Sequence, residues 1–233
     1  MVNYAVCWQS FSQRCAAGAN RKKRPRRVYT QLVRSREPVV ETEYTTHAFG
    51  REAVNFITRQ KGSDRPFFLY LAFNAVHTPM QAPDDYLRRF ASIENKGRCT
   101  YAGMLSAMDD DIGRVLKAVR DAGIEENTLI CFISDNGGPI TRNAPNSSRN
   151  TPLRGGKGET WEGGIRVAFF MKWSGRLKAG STFTEPVIQM DLTATVLALA
   201  GLEVDPNRAA PTATTTRPPG FGGPGMGGGG PRR

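Results

Sequence analysis

The chain has 233 residues, enough for one sizeable domain core, and its 39% hydrophobic and 23% charged residues are typical of a soluble globular protein. Its net charge of +11 lies mainly at the ends, since residues 1–40 contain nine Lys or Arg against one Glu, and residues 203–233 contain four Arg against two acids. The middle therefore lacks the charge of a nucleic-acid-binding domain, and no run approaches the roughly 18 apolar residues of a membrane-spanning helix.

The first predicted unit is a basic, disordered segment over residues 1–40, which shows neither helical nor strand periodicity. Its main feature is the cluster Arg21-Lys22-Lys23-Arg24-Pro25-Arg26-Arg27, of a kind that binds phosphates or serves as a nuclear address. No second basic stripe or aromatic platform accompanies it, so nucleic acid is not the favoured partner. The first ten residues lack the basic start and sustained apolar centre of a signal peptide, and the compartment stays unassigned.

Two elements open the central region of the chain. Thr46 is placed to cap a helix whose apolar residues recur at helical spacing from Phe49 to Ile57. Residues 67–72 then form a continuous apolar run, which predicts a central strand covered on both faces. Pro79 and other loop residues follow this strand and exclude regular structure there.

A long helix is predicted over residues 98–122, where apolar residues recur at spacings of three and four. Gly123 is expected to end this helix in the left-handed conformation. Strands over residues 128–134 and 167–173 and a helix over residues 190–200 follow. Apolar strands that alternate with helices indicate an α/β layered sheet.

The last predicted unit is a disordered tail over residues 206–233, where the chain becomes rich in Thr and Pro and then in Gly. A segment of this composition buries too little apolar surface to offset the entropy lost on ordering. The folded region is therefore expected between the two ends of the chain.

Two of the predicted strands lead into loops with chemically useful side chains. Ligands of open α/β sheets gather beyond the carboxyl ends of the strands, where this chain places His77 and the pair Asp135-Asn136. The oxygens of Asp135 and Asn136 suit Ca²⁺ or Mg²⁺, and an Asn-Gly turn capped by Asp is the alternative interpretation. His77 suits an anion contact or general acid catalysis, and a structural loop histidine is its alternative.

Lys157 stands among Gly155, Gly156 and Gly158, which lets a positive charge approach an anion without clashes from neighbouring side chains. A nucleotide phosphate loop of the form GxxxxGK[ST] requires Gly at position 151 and Ser or Thr at position 158. Thr151 and Gly158 occupy these positions, so that reading is excluded.

Two other groups of polar or reactive residues are given structural roles. Asp109, Asp110 and Asp111 resemble a metal cluster, but consecutive helical residues point about 100° apart, so we interpret them as helix-surface charges with local bonds. The four cysteines have no zinc-site spacing, and Cys131 within an apolar strand is interpreted as a small buried hydrophobe.

Taken together, these segments resemble the sulfatase family of the alkaline-phosphatase-like superfamily, from about Thr45 to Leu202. The resemblance implies a partial alkaline-phosphatase-like α/β/α sandwich over residues 45–202, between the two disordered ends. It is carried by three motifs: residues 68–79 (FLYLAFNAVHTP), residues 134–138 (SDNGG), and residues 153–158 (LRGGKG) followed by residues 161–166 (WEGGIR).

The resemblance implies hydrolysis of a sulfate ester, in a small molecule or a sulfated carbohydrate. Asp135 and Asn136 would ligate a calcium ion, in preference to Mg²⁺. His77 and Lys157 would be the catalytic and substrate-binding residues that hold the sulfate and bridging oxygens, with His77 protonating the leaving alcohol. Three further matches are assigned to loop architecture: Arg154, Glu162 and Arg166.

The chain departs from the family at the nucleophile. Sulfatases mature a Cys or Ser within Cys-x-Pro/Ala-Ser-Arg to formylglycine, but no cysteine here has Arg four residues on. Ser10 has an arginine, Arg14, four residues on, but Ser12-Gln13 stands where the motif requires Pro/Ala-Ser. The family's first two calcium aspartates are not seen either. We therefore expect part of a sulfatase catalytic domain, inactive alone, whose partner would be a missing N-terminal half.

Two alternatives stay open at this point. A phosphoesterase of the same superfamily normally holds two transition-metal ions, which needs more ligands than two histidines provide. A non-catalytic binding protein would instead use the basic N-terminal arm to contact nucleic acid or an acidic polymer.

Overall fold

The computed structural model describes residues 3–7, 32–35, 37–141 and 144–202. The basic cluster at residues 21–27 and the predicted tail at 206–233 lie outside these ranges. Within them, each helix is too short or too polar to cross a membrane. In chain order the elements are β1 (Asn3–Cys7), β2 (Val33–Arg34), β3 (Glu37–Pro38), α1 (Thr45–Arg59), β4 (Phe68–Tyr70), α2 (Asp84–Arg89), α3 (Lys96–Asp121), β5 (Thr128–Ile133), α4 (Glu162–Ile165), β6 (Phe169–Lys172) and α5 (Gln189–Leu199).

A four-stranded sheet in the order β4-β1-β5-β6 forms the centre of the molecule. β1 runs parallel to both β4 and β5, with Ala5 beside Leu69 on one side and beside Ile130 on the other. β6 pairs with β5 in the antiparallel sense. The carboxyl ends of β4, β1 and β5 therefore share one edge of the sheet. This is the edge at which the loops with His77 and Asp135-Asn136 begin.

β1 lies inside the segment for which the sequence predicts no regular structure. Its backbone fills the space between two strands that are far apart in sequence. β2 and β3 also fall before residue 40 and form a short antiparallel pair. The expectation of an unstructured segment over residues 1–40 therefore needs correction at these three strands, and residues 8–31 lie outside the described ranges.

The helices cover the sheet on two sides and create three apolar clusters. α1 and α3 pack on one face, whereas α5 covers β5 on the other through Leu192. Alternation along β5 sends Leu129, Cys131 and Ile133 toward α5, and Ile130 toward α1 and α3. The prediction that Cys131 is buried is confirmed, since its exposed fraction is 3%.

β4 differs from the prediction of a central strand covered on both faces. It stands at the edge of the sheet, and Phe68 and Tyr70 are 54% and 45% exposed. Leu69 and Leu71 point the other way and pack against the cluster formed by α1 and α3. The continuous apolar run thus provides one buried face.

At the helix ends the structure confirms one prediction and contradicts another. Asn95 caps α3 by accepting a hydrogen bond from Arg98 N at 2.9 Å. Gly123 follows α3 with φ of 73°, which confirms the predicted left-handed end. The predicted cap of α1 is wrong: Tyr44 holds that position and Thr46 lies buried in the first turn.

The three consecutive aspartates of α3 have three different environments. Asp109 is exposed, and Asp110 accepts hydrogen bonds from Tyr86 and Arg89, both at 2.9 Å. Asp111 is fully buried and contacts His47, so its assignment to the helix surface is wrong. The cause is tertiary packing, because α1 covers this part of α3.

Candidate functional site

The loop that leaves β5 places Asp135 and Asn136 at the carboxyl edge of the sheet. Asn136 N donates to Asp135 Oδ1 at 2.9 Å, and the Ser134 hydroxyl donates to Asn136 O at 3.2 Å. Asn136 Nδ2 donates to Gly137 O at 2.8 Å, so the side-chain oxygen Oδ1 of Asn136 takes no part in this bond. Within the described ranges, Asp135 Oδ2 and Asn136 Oδ1 are thus available to a ligand.

The loop after β5 is locked to the glycine-rich loop that carries Lys157. Lys157 N donates to Gly138 O at 3.1 Å, and Gly137 N donates to Gly164 O at 2.9 Å. A Cβ at Gly137 would lie 1.7 Å from Gly163 O, so this approach of two backbones requires glycine. The glycines of the two motifs therefore bring Asp135, Asn136 and Lys157 into neighbouring segments.

Asn150 braces the two loops and was not singled out by sequence reasoning. Its Oδ1 accepts from Gly138 N at 3.0 Å. Its Nδ2 donates to Gly138 O at 2.8 Å and to Gly155 O at 2.9 Å. A single asparagine in a polar loop has no distinguishing sequence pattern, so only the fold identifies it.

The side chain of Lys157 is exposed, whereas the residues around it are fixed. Glu159 Oε2 accepts a hydrogen bond from Gly156 N at 2.9 Å and holds the turn that precedes Lys157. The guanidinium carbon of Arg154 lies 3.7 Å from the centroid of the Trp161 ring. A fixed backbone below an exposed ammonium group is an arrangement that can receive an anion.

His77 lies in the loop after β4, which packs on α1 and α3 through Phe73 and Ala75. His77 N donates to Asn74 O at 2.8 Å, and the Nδ1 of the ring lies 2.9 Å from Thr78 O. Because a carbonyl oxygen only accepts, Nδ1 carries a proton and donates. In the described part of the chain, Nε2 is therefore the ring nitrogen available to a ligand.

The four predicted site residues are brought to the same edge of the sheet but are not equally close. Asp135, Asn136 and Lys157 belong to loops that share hydrogen bonds. His77 follows β4, which β1 separates from β5, so the two strand ends are about 10 Å apart. Among the described residues, His77 makes no hydrogen bond to the other three.

The oxygens at this edge agree with a calcium site in kind but not in number. One carboxylate and one amide oxygen are hard donors of the sort that Ca²⁺ prefers, but the ion takes about six to eight oxygens. Across the described ranges, no group of three or more His, Cys, Asp or Glu side chains is placed to hold a metal ion. Asp135 and Asn136 would thus supply part of a coordination shell.

Comparison with curated proteins gives sulfatases among the relatives of this chain. The chain is 39% identical to N-acetylgalactosamine-6-sulfatase of Canis lupus familiaris over 67% of its own length and 29% of that protein. It is 38% identical to arylsulfatase J of Mus musculus over 70% of its length and 26% of that protein. The chain therefore spans less than a third of these curated relatives.

Solved structures agree with the sequence relatives. The crystal structure of Ps i-CgsB in complex with k-i-k-neocarrahexaose is 45% identical, with a TM-score of 0.71, over 76% of this chain and 38% of that one. The fold is confirmed as the partial alkaline-phosphatase-like α/β sandwich predicted from sequence.

The family model described as Sulfatase matches residues 7–202. The match begins at the last residue of β1, well before Thr45, so the expected start of the family resemblance at about Thr45 is corrected. On this match and these relatives, the chain belongs to the sulfatase family.

Proposed function

We propose that this chain forms the sulfate-binding part of a sulfatase-type site and recognises a sulfate ester of a carbohydrate. The observation that carries the proposal is the pair of hydrogen bonds that lock the Asp135-Asn136 loop to the Lys157 loop at the carboxyl edge of the sheet. The substrate class is drawn from relatives, which include an N-acetylgalactosamine-6-sulfatase and a protein crystallised with k-i-k-neocarrahexaose.

Lys157 and His77 are assigned to the sulfate group in this proposal. The ammonium group of Lys157 is exposed on a fixed backbone, so it can reach a sulfate oxygen and form a charge-assisted hydrogen bond with it. The Nδ1 bond of His77 leaves Nε2 as the ring nitrogen for the ester, where a protonated ring would donate to the bridging oxygen and protonate the leaving alcohol.

Asp135 and Asn136 are assigned to a calcium ion in the same proposal. When bound, the ion would supply positive charge beside the sulfate oxygens. The two residues provide only part of its shell, so we expect weak calcium affinity from this chain.

We further propose that the chain binds sulfate esters without turning them over. The nucleophile motif Cys-x-Pro/Ala-Ser-Arg is absent from all 233 residues. Electrostatic contacts alone hold the ester, and attack on sulfur needs a nucleophile that this motif would otherwise provide.

The experiment uses the full chain with 4-nitrophenyl sulfate. Binding is measured by calorimetry, and turnover is measured as the release of 4-nitrophenol. We expect binding that weakens by about tenfold or more in Lys157→Ala, because a charge-assisted hydrogen bond is lost. Lys117→Ala is the matched control, since this exposed lysine lies near the end of α3, at the opposite edge of the sheet. No release of 4-nitrophenol above the buffer rate is expected, with calcium or with a chelator.

Equal binding by Lys157→Ala and the wild type would overturn the assigned site. Robust release of 4-nitrophenol would overturn the proposed lack of turnover. Tighter binding of 4-nitrophenyl phosphate than of the sulfate would favour a phosphoesterase instead.

A further inference from the structure

A buried hydrogen bond between Asp111 and His47 joins α1 to α3 near the loop that carries His77. Asp111 is fully buried, and its Oδ2 lies 2.6 Å from His47 Nδ1. Its Oδ1 lies 2.8 Å from Arg114 Nη1 but outside hydrogen-bond geometry. A Cβ at Gly50 would lie 2.5 Å from Oδ1, so α1 presents a glycine where the carboxylate enters. This close fit fixes His47 relative to both helices.

His47 in turn lies between two tyrosine rings. The Tyr44 ring meets it edge-on with centroids 5.2 Å apart, and the Tyr86 ring lies at 5.5 Å. Both tyrosines donate their hydroxyl groups, but to different parts of the molecule. Tyr86 OH donates to Asp110 Oδ2 at 2.9 Å, on α3.

Tyr44 reaches the loop that carries His77. Its hydroxyl donates to Gln81 O at 3.0 Å, 37 residues along the chain. Burial raises the pKa of the Tyr44 hydroxyl, so the group stays protonated and able to donate at neutral pH. A small cavity of about 40 Å³ separates the first turn of α1 from the loop, with His77, Thr78 and Pro79 in its lining.

We infer that Tyr44, held in place by the His47–Asp111 pair, is a positioning residue that fixes the loop over residues 74–82 and thereby the ring of His77. The inference rests on the proposed function in one respect, namely that His77 contacts the sulfate ester. Tyr44 acts through the loop backbone and is assigned no contact with the ligand.

The test compares Tyr44→Phe with Tyr86→Phe in the full chain. Each variant removes one hydroxyl from the same aromatic cluster and keeps the ring beside His47, but only Tyr44 is bonded to the loop. The chain has two histidines, so nitrogen-detected spectra of the imidazole rings report on His77 directly once His77→Gln has assigned its signals. Binding of 4-nitrophenyl sulfate is measured on the same samples.

We expect Tyr44→Phe to shift or broaden the His77 signals and to weaken binding of the sulfate about 2- to 10-fold, as loss of one hydrogen bond would. Tyr86→Phe is expected to leave both readings at the wild-type values, although it too loses a hydrogen bond. The inference is overturned if Tyr44→Phe leaves the His77 signals unchanged, or if Tyr86→Phe changes them equally.

The two proposals can fail separately. If the wild type binds no sulfate ester, the proposed function fails, and the His77 spectra alone decide the role of Tyr44. If the wild type binds the ester and only Tyr44→Phe weakens it, both proposals are supported.

Discussion

Cys99 and Cys131 carry the same thiol group but are expected to differ in reactivity. Burial raises the pKa of the Cys131 thiol to about 11, whereas Cys99 is half-buried at the start of α3. Since the thiolate is the nucleophile, Cys131 holds almost none at pH 8 and gains it only as the pH approaches 11. We expect iodoacetamide at pH 8 to modify Cys99 about tenfold faster than Cys131 or more, measured by peptide mass spectrometry.

The same labelling in 6 M guanidinium provides the control, because unfolding exposes both thiols and should equalise their rates. Equal labelling in the folded protein would contradict the packing of Cys131 beneath α5. Its burial was predictable from an apolar strand. The burial of Asp111 was not, because its partners Gly50 and His47 come from a distant segment. The role of Asn150 was not either, because it depends on how the loop folds back on Gly138.

At the scale of single elements, the interior and the C-terminal end of α3 allow a matched test with glycine. Gly123 has φ of 73°, and its N–H and that of Ile124 bond to Arg120 O and Val119 O. Gly113 is exposed inside the same helix, with open space around it. We expect Gly123→Ala to lower the free energy of unfolding by about 1 kcal/mol and Gly113→Ala to raise it by about 0.5–1 kcal/mol.

Urea denaturation followed by circular dichroism measures both changes. A Gly123→Ala variant as stable as the wild type would contradict the left-handed end of α3. The sequence predicted α3 and β5 closely because long periodic or apolar segments determine them locally. β1 lacks such a pattern, and the edge position of β4 depends on which strands pair, so neither followed from periodicity.

At the scale of the whole molecule, an apolar groove of about 660 Å³ lies open between α3 and the outer strand β6. Phe170 on β6 is 63% exposed, and the outer edge of β6 bonds to no other strand in the described ranges. Exposed apolar sheet edges favour association between chains. We expect the protein to associate at micromolar concentration. Phe170→Lys should raise the concentration at which the chains associate by about 3-fold or more.

Sedimentation velocity over a concentration series measures this effect. Val40→Lys is the control, because Val40 is 86% exposed and lies between β3 and α1, outside β6. A wild-type protein that stays monomeric and melts in one sharp transition would contradict the expectation. Periodicity along the chain does not say which strands stand at the edge of the sheet, so the position of β6 came from the topology.

The place of β1 in the sheet has a consequence for biosynthesis. β1 is made before both of its neighbours, which are β4 at Phe68–Tyr70 and β5 at Thr128–Ile133. Ribosomes add about 5–20 residues per second, so the nascent strand waits several seconds for its second neighbour. Until β5 leaves the exit tunnel, one side of β1 has no strand to pair with. Chaperone contact at that stage would shield the unpaired side of β1.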